Sequence, residues 1–274
     1  MSSDRIDFMS AAERRASDAF MEHGHVIVDA EDPVLLNRLR DRIAALAAAH
    51  LKIDAPGDAG SFLNGIHERV GVDGLNALRL EVINGLASES WVRAAYYNLA
   101  RGALGTIVGN ELVMQRRINL SIQLPDDASS LLPVHADVWS GDSPFEVVMW
   151  LPLVDCFDTK SMYLMPPDRD RAVQAKLNQM NGKSSEDLFH VIENDVTFMN
   201  VPFGSVLLFS QTLMHGNRIN TVPETRWSMN CRFKSAFSPY ADKKLGEFFQ
   251  PITLKPASRM AMAYDLPGGF DDTE

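Results

Sequence analysis

Around Glu111 the apolar residues of this chain change their period. Upstream they recur every three or four positions, as one face of a helix does; downstream they alternate, as the faces of a strand do. Helices first and strands afterwards do not suit the strict βα alternation of a parallel sheet. They suit a mainly β barrel or jelly roll with flanking helices.

The upstream part, 1–110, reads as mostly helical support. A helix is expected over 10–23, a buried strand over His25–Asp29, and a second helix over Val34–Leu51, opened by Asp32 as N-cap and Pro33 at the first position. Asp54–Asn64, with Pro56, Gly57 and Gly60, reads as loop, and further helices follow over Val72–Leu86 and Ser88–Ile107. From Glu111 to Gln123 a strand puts Gln115, Arg117, Asn119, Ser121 and Gln123 on one face, with Leu120, Ile122 and Leu124 on the other. More strands are expected over Phe145–Leu153, Val196–Asn200, Ser205–Ser210 and Arg226–Phe237. Arg169–Met180 and Ser184–Ile192 look helical. The expected plan is one domain, 1–274, with a strand core over 111–237, a helical insertion at 168–192 and a C-terminal extension over 238–274.

Composition excludes several function classes. A formal net charge of −10 repels phosphate backbones and anionic lipid surfaces, so neither nucleic acid nor membrane is an expected partner. Cys156 and Cys231 form no Cys-x-x-Cys spacing, and two thiols make no disulfide framework, which fits a reduced cytoplasmic setting. The first twenty residues mix charges too closely for a signal peptide, and no apolar run reaches membrane-spanning length. A small-molecule substrate remains.

The chemistry gathers downstream. His135-Ala-Asp137 places two ligands at i and i+2, on one side of an extended backbone. In Phe203-Gly-Ser-Val-Leu-Leu-Phe-Ser-Gln-Thr-Leu-Met-His215-Gly216, an apolar strand ends at a histidine beside a glycine that lets backbone pass close. Each motif alone has a bland reading, a turn cap or a core histidine. Together they supply two imidazoles and one carboxylate, a set that occupies one face of an octahedron around Fe(II) and leaves positions for O2 chemistry. Zinc hydrolysis uses the same ligand types. Eleven residues after His215, Arg226 opens a strand with Ser228 on the same face. Its fork is suited to a carboxylate, although a surface ion pair is the plain alternative; Arg232 has the same parity and is the reserve anchor.

The order His135-x-Asp137, His215, Arg226 resembles the Fe(II)/2-oxoglutarate dioxygenases of the phytanoyl-CoA-hydroxylase-like branch, over roughly residues 111 to 237. More narrowly, His-Ala-Asp-Val-Trp-Ser-Gly-Asp-Ser-Pro-Phe-Glu, with the later Asp242-Lys-Lys-Leu-Gly-Glu-Phe-Phe, resembles oxygenases of bacterial carbohydrate biosynthesis clusters. The resemblance implies a double-stranded β-helix, a cupin-like jelly roll. It also implies Fe(II) on His135, Asp137 and His215, 2-oxoglutarate chelating the iron with its far carboxylate on Arg226 beside Ser228, and release of succinate and CO2 as a C–H bond is hydroxylated. Because Asp137 keeps the carboxylate, halogenation is not expected.

Secondary candidates follow from position. Asn119 and Gln123 could bond co-substrate or substrate, or merely form a polar strand face. Trp139, Ser140 and Asp142, in the loop after the first two ligands, could overhang the metal and hold a sugar, or form a surface turn. Two further readings stay open here: a cupin-like hydrolase or isomerase without 2-oxoglutarate, and a non-catalytic jelly-roll binding protein.

Overall fold

A computed structural model describes residues 8–180 and 183–265. In chain order its elements are α1 (Ala11–His23), β1 (His25–Asp29), α2 (Pro33–His50), α3 (Ala59–Asn64), α4 (Val72–Ala87), α5 (Val92–Asn98), α6 (Arg101–Ile107), β2 (Leu112–Gln115), β3 (Asn119–Gln123) and β4 (Glu146–Pro152). There follow β5 (Tyr163–Leu164), α7 (Pro167–Gln174), α8 (Ser185–Ile192), β6 (Thr197–Phe198), β7 (Ser205–Ser210), β8 (His215–Gly216), β9 (Arg226–Ser235), β10 (Phe249–Pro251) and α9 (Pro256–Met262).

Two antiparallel sheets make the jelly roll. The larger runs β1-β7-β4-β9-β2-β10, with β3 also on β9; the smaller runs β6-β5-β8. β9 organises the larger sheet. Its first half pairs with β3, from Gln123↔Arg226 to Asn119↔Asn230, its second half with β2, and its other edge with β4. Alternation along β9 sends Trp227, Met229, Cys231 and Phe233 into the main core, where α2 and α4 also bury Leu36, Leu39, Ile43, Leu78 and Val82. Trp227 Nε1 donates to Leu63 O at 2.9 Å, and Tyr96 Oη donates to Met149 O at 2.6 Å, so each bond ties a strand to a helix behind it. The opposite parity of β9, carrying Arg226, Asn230 and Arg232, faces the space between the sheets. That parity sets the site.

Several expected elements differ, each for a traceable reason. Within the expected loop Asp54–Asn64, α3 forms because Asp58 caps it, accepting from Gly60 N at 2.9 Å and Ser61 Oγ at 2.6 Å, while Ala59 and Leu63 are buried. The helix expected over Ser88–Ile107 is broken into α5 and α6: Glu31, far away in sequence, accepts from Gly102 N at 2.6 Å, and its own N–H bonds Leu99 O at 2.9 Å. The strand expected from Glu111 to Gln123 is interrupted at 116–118. There Arg93 donates to the carbonyls of Gln115 and Arg116, and Gln115 Oε1 accepts from Arg232 N, so side chains take over ladder positions. Val196–Asn200 contributes only the two residues of β6, and Arg169–Met180 divides into α7 and a 3-10 turn over Leu177–Met180. The expected extension supplies β10, which pairs with β2, and α9; residues 266–274 of it, 181–182 of the expected insertion, and 1–7 of the helical support lie outside the described residues. No helix among the described residues is long and apolar enough to cross a membrane.

Candidate metal centre

His135 lies in an isolated antiparallel bridge with His215, the first residue of β8, and Asp137 opens a 3-10 turn two residues later. Ligand atoms of the three residues all lie within 4.8 Å of one another, and His135 Nε2 is 3.6 Å from Asp137 Oδ1. Both imidazoles are fixed in the same way. His135 Nδ1 bonds Pro133 O at 2.8 Å and His215 Nδ1 bonds Leu213 O at 2.9 Å. A carbonyl only accepts, so on the neutral ring each Nδ1 carries the proton and each Nε2 presents a lone pair. The close approach expected at Gly216 is present: a Cβ there would lie 2.6 Å from Tyr163 Oη and 2.8 Å from Leu132 O.

The electrostatics suit a cation. Burial pushes the His215 pKa down to about 4, helped by the neighbouring His135. Burial also works against charge on His135, but the Asp137 carboxylate 3.6 Å away and the bond to Pro133 O prevail and raise it above 6.5. For Asp137, burial favours the neutral acid, yet His135 Nε2 at 3.6 Å and the charge and hydrogen bond of Arg232 hold the carboxyl well below its usual range. The protein therefore keeps a carboxylate and a neutral imidazole ready, as a divalent metal requires.

A cavity of about 230 Å³ opens from these ligands between the sheets, walled by Val148, Trp150 and Phe209 and edged by Asn119, Asn217 and Asn230. Arg226 lines it and is only 4% exposed. Its Nη2 donates to Ser121 Oγ at 3.0 Å and its Nη1 reaches Ser161 O at 3.5 Å, while Nε has no partner among the described residues. The hydroxyls of Ser161 and Ser228 are likewise buried without partners. Burial without a counter-ion pushes the Arg226 pKa down to about 10.

The remaining candidates divide. Asn119 reaches the cavity, its amide donating to Asn230 Oδ1 at 2.9 Å. Gln123 does not line it; its amide donates to Arg218 O at 2.6 Å and its oxygen accepts from Asn217 at 3.3 Å, because a buried carboxamide must satisfy both ends. Trp139 and Ser140 do not line the cavity. The chain leaves extended geometry at Asp137, and the 3-10 turn carries Trp139 towards α7, where Nε1 donates to Gln174 Oε1 at 3.3 Å; Ser140 is exposed. Asp142 is turned inward to Arg232, with Oδ1 3.5 Å from Nε, because a buried guanidinium draws the nearest carboxylate. Arg232, the reserve anchor, is engaged with Asp137 at 2.8 Å. Sequence reading missed Ser161, Asn230 and Asn217. Asn230 was findable, sharing Arg226's parity on β9; Ser161 sits 65 positions from Arg226 and carries no local signal.

No family model and no curated protein matches the sequence. Solved structures do. The chain is similar to the non-heme monooxygenase ThoJ in its nickel complex (TM-score 0.55, 16% identity, 88% of this chain and 84% of that one). It is similar to EctD from S. alaskensis with 2-oxoglutarate and 5-hydroxyectoine (0.54, 16%, 85% and 78%). It is also similar to the non-heme alpha ketoglutarate dependent carbocyclase SnoK from nogalamycin biosynthesis (0.52, 14%, 90% and 97%). The fold is thus the one these structures share, the expected cupin-like jelly roll.

Proposed function

We propose that this protein is an Fe(II)- and 2-oxoglutarate-dependent oxygenase that hydroxylates a small polar metabolite, with release of succinate and CO2. The observation that carries the reading is the pairing of His135, Asp137 and His215 with Arg226, a buried guanidinium with no counter-ion and an unpartnered Nε, across one cavity. A buried guanidinium without a counter-ion is costly, and a ligand carboxylate would satisfy it together with the unpartnered Ser161 and Ser228 hydroxyls. A hydrolase using the same metal ligands has no need of that anchor.

His135, Asp137 and His215 would hold the iron, which supplies the activation of O2 when bound. Arg226 would orient the diacid so that its keto-acid end meets the metal, and Val148, Trp150 and Phe209 would keep water from the reacting carbon. The carboxamides of Asn119, Asn217 and Asn230 suit hydroxyl-bearing substrates, in keeping with a sugar or a nucleotide-sugar-related precursor, and the net charge of −10 disfavours nucleic acid and membrane surfaces as partners. A cytoplasmic setting accords with two buried free thiols.

The test is to incubate pure protein with Fe(II), 2-oxoglutarate and O2 and measure succinate, including slow uncoupled turnover, beside 2-oxoglutarate binding under anaerobic conditions. Arg226→Ala should weaken that binding roughly tenfold or more, the loss of a charge-assisted contact of about 1.5–3 kcal/mol. Absence of both binding and succinate would sink the reading.

A further inference from the structure

Arg226 and Arg232 share one face of β9, yet their surroundings are opposite. Arg226 has an orphaned Nε and no paired carboxylate, whereas Arg232 is enclosed by acceptors. Its Nη2 donates to Asp137 Oδ1 at 2.8 Å, its Nε to Gln211 Oε1 at 3.2 Å, and its Nη1 to Gln115 Oε1 at 3.4 Å, with Asp142 Oδ1 3.5 Å from Nε. Gln211 is itself held, donating to Ser143 O at 2.8 Å. Any swing of the guanidinium would abandon several acceptors at once.

A carboxylate facing a divalent ion alone is free to bind through both oxygens and fill two coordination positions. One already gripped by a guanidinium has less freedom. The charge-assisted bond sets its plane and engages one oxygen, as hydrogen bonds behind a metal ligand do. Asp142 adds a second counter-charge, so Arg232 stays paired when a metal draws on Asp137.

We propose that Arg232 is a positioning residue of the metal centre: braced by Gln115, Gln211 and Asp142, it restricts Asp137 to single-oxygen ligation and so keeps one coordination position open for a gaseous ligand. The inference rests on the metal reading of His135, Asp137 and His215 given above. On an octahedral ion, two imidazoles, one carboxylate oxygen and the two chelating oxygens of 2-oxoglutarate leave a single position. A second Asp137 oxygen would close it.

The experiment loads wild-type protein, Arg232→Met and Arg232→Lys anaerobically with Fe(II) and 2-oxoglutarate, then titrates nitric oxide and follows the iron nitrosyl signal by electron paramagnetic resonance. Arg232→Met should lose about 10–100-fold in Fe(II) affinity, as removal of a group behind a ligand does, and, once saturated with Fe(II) and 2-oxoglutarate, should lose at least about tenfold in nitric oxide affinity. Arg232→Lys, a cation without the planar fork, should fall between. An Arg232→Met protein that takes up nitric oxide like wild type overturns the proposal. Should that variant fail to fold, Arg232→Lys and Gln211→Leu carry the same comparison, and wild-type uptake in both overturns it equally. Wild-type protein that binds no Fe(II) instead overturns the metal reading, and this inference with it.

Discussion

His135 and His215, eighty positions apart, exchange both backbone hydrogen bonds: His135 N donates to His215 O at 3.0 Å and His215 N to His135 O at 2.8 Å. The bridge sets the two imidazoles side by side, ring centroids 4.2 Å apart, and each ring is then turned by the carbonyl two residues before it. Ligand geometry at this site is thus a property of the backbone as much as of the side chains.

Removing a ligand should therefore be more damaging than removing a group behind one. Losses of supporting hydrogen bonds typically cost 10–100-fold in metal affinity, so His215→Ala and Asp137→Ala should each lose more than about 100-fold. Calorimetric titration with Co(II) or Fe(II) checks this; affinity within tenfold of wild type would remove these residues from the ligand set.

Metal binding should release protons with a defined pH dependence. Below its raised pKa His135 carries a proton that the metal must displace, while His215 stays neutral down to about pH 4. Apparent affinity should fall about tenfold per pH unit below the raised His135 value, with a slope near one proton until about pH 4. In the metal-free protein the two histidines act oppositely on stability. His135 stabilises below pH 6.5 and loses this as pH rises through its raised value; His215 costs stability as pH falls from 6.5 towards 4. Calorimetry in buffers of different ionisation enthalpy counts the protons.

Glu146 is 1% exposed, and burial pushes its pKa up to about 7, with one carboxyl oxygen unpartnered. A carboxyl raised in the fold destabilises it progressively as pH climbs from 4.5 through about 7. Glu146→Gln should thus raise the melting temperature at pH 8, by roughly 2–4 °C per kcal/mol recovered, and change it little near pH 4. A variant equally stabilised at both values would contradict this assignment.

Trp139 is bonded to Gln174 and does not line the cavity. Trp139→Ala should leave Fe(II) and 2-oxoglutarate binding within about twofold, since a substitution outside the contact shell couples weakly. A loss of tenfold or more in either would return the residue to the site.

Tyr96→Phe deletes the buried bond to Met149 O and leaves that carbonyl with one partner fewer. The expected cost is about 1–3 kcal/mol, read by denaturant midpoint. Because the bond lies on the helix side of β4, metal affinity should not change.

Much of this was legible in the sequence because it is local. A two-residue period fixes which residues of β9 share a face, so Arg226, Asn230 and Arg232 go to the cavity and Trp227, Met229 and Phe233 to the core without knowledge of any partner. Asp32 before Pro33 starts α2 by chain-local bonding. The sequence thereby determined the helical support, the strand core and a His-x-Asp and histidine pattern in the right order.

What only the tertiary structure decided is which polar groups meet. Glu31 breaks a helix 71 residues away, Ser161 arrives beside Arg226 from a loop, and Asp142 turns to Arg232 instead of to solvent. The two arginines of β9 look alike in sequence. One became a guanidinium with no counter-ion and an unpartnered Nε at the cavity and the other a clamp on Asp137, because the cost of burying a charge is settled by whichever acceptors packing brings within reach.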